Sequence, residues 1–121
     1  MSLKAGVLIV LFCILLSVFA AAQTPLTAEV IDISVLVTES NDRAVTGLGI
    51  KDFRVLEDQV LQTITSVKAN KLAGDYTISY APQNSVKDGS WRKVRVEIVG
   101  FSGVTMMTRH AAGYYATPTN R

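Results

Sequence analysis

From residue 30 onward, polar and apolar positions alternate along the chain. Ile31, Ile33, Val35 and Val37 fall on one side of an extended segment; Asp32, Ser34 and Thr38 fall on the other, with Leu36 as the exception. A period of two with β-branched enrichment predicts a half-buried strand. Glu39, Ser40, Asn41, Asp42 and Arg43 supply turn formers, so the chain reverses there. Residues 44–48 read as extended and interrupted by Gly47, and residues 49–52 as one helical turn. Residues 53–57 form the next expected strand. Asp58-Gln59 is a tight turn into a strand over residues 60–67, with Leu61 and Val67 as its inward side chains.

The second half repeats this grammar. Residues 68–74 read as a polar link. Tyr76, Ile78 and Tyr80 alternate with Thr77 and Ser79, and Pro82 stops that strand. A polar loop over residues 83–90 ends in the turn dipeptide Asp88-Gly89. Val94, Val96 and Ile98 alternate with Lys93, Arg95 and Glu97, which predicts a strand wet on one face. Residues 100–103 turn the chain into a strand over residues 104–109, and Gly113-Tyr114-Tyr115 closes the domain, with the tyrosines capping the core. Helical periodicity is nowhere sustained past residue 30. About six or seven short strands separated by turns predict an all-β fold, a single immunoglobulin-like β-sandwich.

The N-terminus follows a different rule. Lys4 precedes an apolar run over residues 7–19, which ends in Ala20-Ala21-Ala22 before Gln23. A basic start, a short apolar stretch and a small-residue cleavage site describe a helical secretory signal peptide. The run falls short of the roughly 20 apolar residues a bilayer crossing needs. The expected organisation is a signal peptide over 1–22, a polar lead over 23–29, a β-sandwich domain over 30–116 and a tail over 117–121. Cleavage after Ala22 gives an exported protein, periplasmic or extracellular, with no membrane association of its own.

Removing the leader changes the chemistry that remains. Cys13, the one cysteine, leaves with it. No disulfide, thiolate metal site or cysteine nucleophile is then available. Lys4 leaves too, so 11 basic residues stand against 10 acidic ones. That balance argues against nucleic acid as a partner. His110 is the single histidine, and without a nucleophile in a recognisable setting it reads as a polar residue near the last strand. Ser34, Ser66, Ser79 and Ser102 lack the G-x-S-x-G elbow. Glu57 and Asp58 read as solvated turn acids rather than as calcium ligands alongside Asp52 or Asp42. No enzyme activity, cofactor or metal is expected. The candidate contact residues are Trp91, Arg92, Lys93 and Arg95, one aromatic among cations on an expected wet strand face. The same residues also suit a plain solvated face that discourages edge pairing.

Three blocks carry a family resemblance. Val45-Thr46-Gly47-Leu48 with Lys51-Asp52-Phe53-Arg54-Val55-Leu56-Glu57-Asp58 is the first, and Tyr76-Thr77-Ile78-Ser79-Tyr80-Ala81-Pro82 with Asp88-Gly89-Ser90-Trp91-Arg92-Lys93-Val94-Arg95-Val96 is the second. The third is Arg109-His110-Ala111-Ala112-Gly113-Tyr114-Tyr115-Ala116. In this order they resemble the segments flanking the factor A domain in bacterial von Willebrand factor A-related exported proteins. The resemblance implies that the chain is that flanking β-domain with the factor A domain itself absent, its place taken by the link between residues 68 and 75. The family's metal-ion-dependent adhesion site does not carry over. Asp32-Ile33-Ser34 imitates the start of its Asp-x-Ser-x-Ser run, which fails at Leu36.

The reading that follows is an exported, non-catalytic interaction or scaffold module whose partner is a protein. The alternatives are a glycan-binding module of the cell envelope, using Trp91 or Tyr114 as a stacking platform, and a degenerate remnant without a selected activity.

Overall fold

A computed structural model describes residues 29–118. The expected signal peptide with Cys13, nearly all of the polar lead and the end of the tail lie outside the described residues. The chain folds as two antiparallel four-stranded sheets packed face to face, an all-β sandwich. Its strands are β1 (Ile31–Glu39), β2 (Phe53–Glu57), β3 (Val60–Gln62), β4 (Ile64–Ala69), β5 (Asp75–Tyr80), β6 (Trp91–Ile98), β7 (Met106–Arg109) and β8 (Gly113–Tyr115). A 3-10 turn over Ile50–Asp52 leads into β2, where one helical turn was expected.

The first sheet runs β4-β5-β1-β7 and the second β3-β2-β6-β8. Each sheet therefore takes two strands from either half of the chain. The central pairs, β1 with β5 and β2 with β6, join the halves, and so do the edge pairs β4 with β5 and β1 with β7. The two halves accordingly share one interior. This is the Greek-key order of an immunoglobulin-like sandwich, with β7 occupying the edge beside β1.

The alternation of β1, β5 and β6 builds that interior directly. Ile33, Val35 and Val37 from β1 meet Tyr76, Ile78 and Tyr80 from β5, and across the core they face Phe53 and Val55 from β2 and Val94 and Val96 from β6. Each such side chain taken out of water contributes about 1.5–3 kcal/mol. Phe53 and Tyr76 pack edge to face between the sheets, with ring centroids 5.4 Å apart. The Tyr76 hydroxyl donates to the Val45 carbonyl at 2.8 Å and accepts from the Leu48 N–H at 3.3 Å. A buried tyrosine thereby meets its polar requirement and pins the segment before the 3-10 turn.

The strand expected over residues 60–67 is two strands in different sheets. β3 pairs with β2, and after Thr63 the chain crosses over so that β4 pairs with β5. This break raises the strand count to eight and reverses the expected facing. Leu61 is 55% exposed, whereas Gln62 is buried. Gln62 finds partners there, donating to the Val60 carbonyl and accepting from the Gln83 N–H. Val67 packs partly against the core, as expected. β4 also runs on to Ala69, so the link to β5 is only residues 70–74. At the other end, the last long strand starts at Met106, not at residue 104.

The β7–β8 region also switches sheets. β7 pairs with β1 over residues 36–39, then the chain crosses at residues 110–112 and β8 pairs with β6. At this crossing the Val96 backbone is held by side chains. His110 Nε2 accepts its N–H at 3.2 Å, and Thr108 Oγ1 donates to its carbonyl at 3.2 Å. Nδ1 of His110 lies 2.7 Å from the Ala111 carbonyl. The one histidine replaces a missing strand neighbour.

Candidate functional site

Strand β6 sorts the four candidate contact residues by parity. Trp91, Lys93 and Arg95 project from the outer face of the second sheet, while Arg92 points inward with Val94 and Val96. Arg92 is only 6% exposed, which corrects its expected place on the wet face. One of its terminal nitrogens donates to the Val86 carbonyl at 2.9 Å and to Asp88 Oδ1 at 3.3 Å. Its Nε is buried without a partner. Arg92 thus anchors the loop over residues 81–90. Hydrogen bonds from Ser90, then the Arg92 charge, hold the Asp88 carboxyl below its ordinary value.

The outer face gains a residue assigned elsewhere by its sequence setting. Tyr115 pairs with Trp91 across β6 and β8 and is 64% exposed, so only Tyr114 caps the core. The Trp91 and Tyr115 rings meet edge to face at 4.9 Å, and Trp91 is itself 46% exposed. Gly113 makes the pair possible. A Cβ at that position would stand 2.0 Å from the Arg92 carbonyl oxygen and 2.8 Å from the Trp91 indole. The glycine allows β8 to approach β6 closely.

The cations on this face differ in their freedom. Arg54, opposite Glu97 on β2, bonds its carboxylate through Nε at 2.8 Å and through Nη2; Arg95 reaches the other carboxylate oxygen at 2.7 Å. The hydrogen bond from Arg54, with the charges of both arginines, holds the Glu97 carboxyl below its ordinary value. Lys93 has no ion-pair partner among the described residues. Its backbone N–H donates to Asp58 Oδ1 at 2.9 Å. Asp58 and Gln59 both take positive φ, the backbone of a primed hairpin turn. The surface therefore offers two exposed aromatics beside one unengaged cation.

Compared with known proteins, the chain matches no family model, no curated protein and no solved structure.

A second polar group lies inside the sandwich. Glu57, read from its sequence setting as a solvated turn acid, is 3% exposed. It shares the inward face of β2 with Phe53 and Val55. Its Oε2 accepts the Tyr80 hydroxyl at 2.8 Å and the Tyr114 hydroxyl at 2.9 Å. Burial, with the Glu57 carboxylate beside it, pushes the Tyr114 phenol up to about 12; the same two causes push Tyr80 higher still. Two donors on one carboxylate oxygen offset the cost of burying it. This arrangement ties strands from both sheets together at one pole. Asp32 and Ser34, the imitation of an adhesion-site motif, lie on the outer face of β1 and bond to Ser79 and Asp75 respectively. Among the described residues, no three His, Cys, Asp or Glu side chains converge as metal ligands would.

Proposed function

We propose that this chain is an exported, non-catalytic interaction module, a β-sandwich scaffold that binds a protein partner through the outer face of its second sheet. The observation that carries the reading is the exposed Trp91–Tyr115 pair beside the unengaged Lys93. Exposed Trp and Tyr are residue types on which protein contacts concentrate, and the Lys93 charge beside them would steer an acidic partner surface. Gly113 holds both rings in place before any partner arrives, which lowers the entropy lost on binding. His110 and Glu57 are engaged in holding the strands together. Export rests on the leader pattern over residues 1–22.

The relation to the flanks of von Willebrand factor A-related proteins belongs to this proposal. It is supported by where the two resembling halves join. Ala69 and Tyr76 pair across β4 and β5, so residues 70–74 close a hairpin where a larger domain would enter and leave by adjacent strands.

A glycan is the second reading, favoured by the exposure of Trp91. Tyr114 takes no part in it, because its ring is half-buried and its hydroxyl is bound to Glu57. A photo-crosslinker at Tyr115 separates the two. Expected is one reproducible protein adduct from the cell envelope, lost in Trp91→Ala while the melting temperature holds. Retention on envelope polysaccharide with no protein adduct would instead favour the glycan.

A further inference from the structure

Strand β1 is covered unevenly. On one side β5 pairs with residues 31–36; on the other, β7 pairs only with residues 36–39. The chain then leaves at His110 to join β6, and among the described residues nothing pairs with residues 31–35 on that side. The Val37 N–H bonds to the Gly74 carbonyl on the β5 side. Backbone groups of a strand alternate sides residue by residue, so Asp32 and Ser34 turn their N–H and C=O away from β5, toward that edge. No strand among the described residues pairs with them. The facing wall is β8, which is itself the last strand of its sheet. Between the two edges lies an open cleft of about 180 Å³, lined by Ile31, Ile33, Val94, Ala111, Gly113 and Tyr114.

We propose that this slot binds an extended segment of a partner protein by strand addition to β1, the added strand alternating apolar and basic residues. Each half of that description has its own warrant. A row of backbone donors and acceptors is matched by another extended backbone. Behind Asp32 and Ser34, which also line the cleft, Ile31, Ile33, Val94 and Ala111 give it an aliphatic wall, so apolar side chains suit the inward-turning positions. Side chains turning outward meet Asp32, whose carboxylate accepts from the Ser79 hydroxyl and has no cation partner among the described residues. An opposite charge on the neighbouring strand is favourable there, and an acidic one is not. The site is separate from the Trp91–Tyr115 face, so either can fail without the other.

The test is a titration of the isotope-labelled protein with short capped peptides in which valine alternates with lysine and threonine, read by amide exchange. Bound peptide should slow exchange at Asp32 and Ser34 by about tenfold or more, the signature of new strand hydrogen bonds. Replacing lysine by glutamate in the peptide should weaken binding, and Asp32→Lys should reverse that preference; Asp32→Asn, a milder change, should abolish it. Trp91→Ala should leave all of this unchanged. Equal binding by a peptide N-methylated on its pairing edge would overturn the proposal. So would slow exchange at Asp32 and Ser34 in the free protein, meaning that its own residues 23–28 already cover the edge. Protection that grows with protein concentration would overturn it in favour of a second copy.

Discussion

The Glu57 carboxylate and the Tyr80 hydroxyl, 2.8 Å apart, join the two sheets through their shared core. Glu57 stands on β2 and Tyr80 on β5, so the bond spans the two layers, as the Thr108 hydroxyl's bond to the Val96 carbonyl does between β7 and β6. Removing the hydroxyl in Tyr80→Phe leaves the buried carboxylate with Tyr114 as its remaining tyrosine donor. The expected cost is about 1–3 kcal/mol, measured as a lower urea midpoint at unchanged slope.

The same cluster sets an alkaline limit. Tyr80 and Tyr114 both ionise above the ordinary value of 10.0 when folded, Tyr114 at about 12. A folded pKa above the unfolded one stabilises fully below the unfolded value and is lost as pH rises through the folded one. Stability should therefore hold up to about pH 10 and fall from there toward pH 12. Unfolding free energies measured across that range should decline less steeply in Tyr80→Phe combined with Tyr114→Phe.

Gly113 is required by contact. A methyl group there would collide with the Arg92 carbonyl and the Trp91 ring. Backbone cannot move aside as a flexible side chain can, so Gly113→Ala should destabilise by about 1–3 kcal/mol. Because β8 holds only three residues, the strand should loosen from β6 first. A shift in Trp91 fluorescence preceding global unfolding would show this order.

The layout of this fold is written in alternation, which makes β1, β5 and β6 legible from the sequence. What alternation conceals is a change of sheet. Nothing in residues 60–67 marks Thr63 as a crossing point, so Leu61 and Gln62 exchange their expected sides. The same pattern contained two signals in plain sight. Phe53 and Val55 share parity with Glu57, and Val94 and Val96 share it with Arg92, so counting by twos places both charges inside. Charge and an adjacent turn suggested solvent instead, and the partners that make burial tolerable, Tyr80 for Glu57 and the Val86 carbonyl for Arg92, are distant or in a loop. Tyr115 shows the converse: a glycine before two tyrosines suggested packing for both, while strand parity exposes the second.

The hairpin between β4 and β5 should accept long insertions. Its strands stay paired to the last residue, with the Asn70 N–H bonded to the Asp75 carbonyl at 2.9 Å. Lengthening a surface loop adds little closure cost, about 0.6 kcal/mol per doubling. A folded domain placed between Lys71 and Leu72 should leave the sandwich's thermal transition nearly in place. Gly74 must stay, because its φ is +80° and a Cβ would meet the Val37 carbonyl at 2.7 Å. Gly74→Val should lower the transition in the same chain that tolerates the insertion.

His110 decides whether the sheet switch is held by a side chain or merely passes near one. If Nε2 supplies the acceptor for Val96, His110→Leu strands a half-buried N–H, at a cost of about 1–3 kcal/mol. The Val96 amide should then exchange faster, while Val94, whose N–H bonds to the Ala112 carbonyl, keeps its protection. His110→Gln, which restores an acceptor, should recover part of the loss. Equal protection at Val96 in all three proteins would mean that packing of β7 against β1 holds the crossing without the imidazole. The seam would then depend on Thr108, whose replacement by Val removes the only remaining side-chain bond to the Val96 backbone.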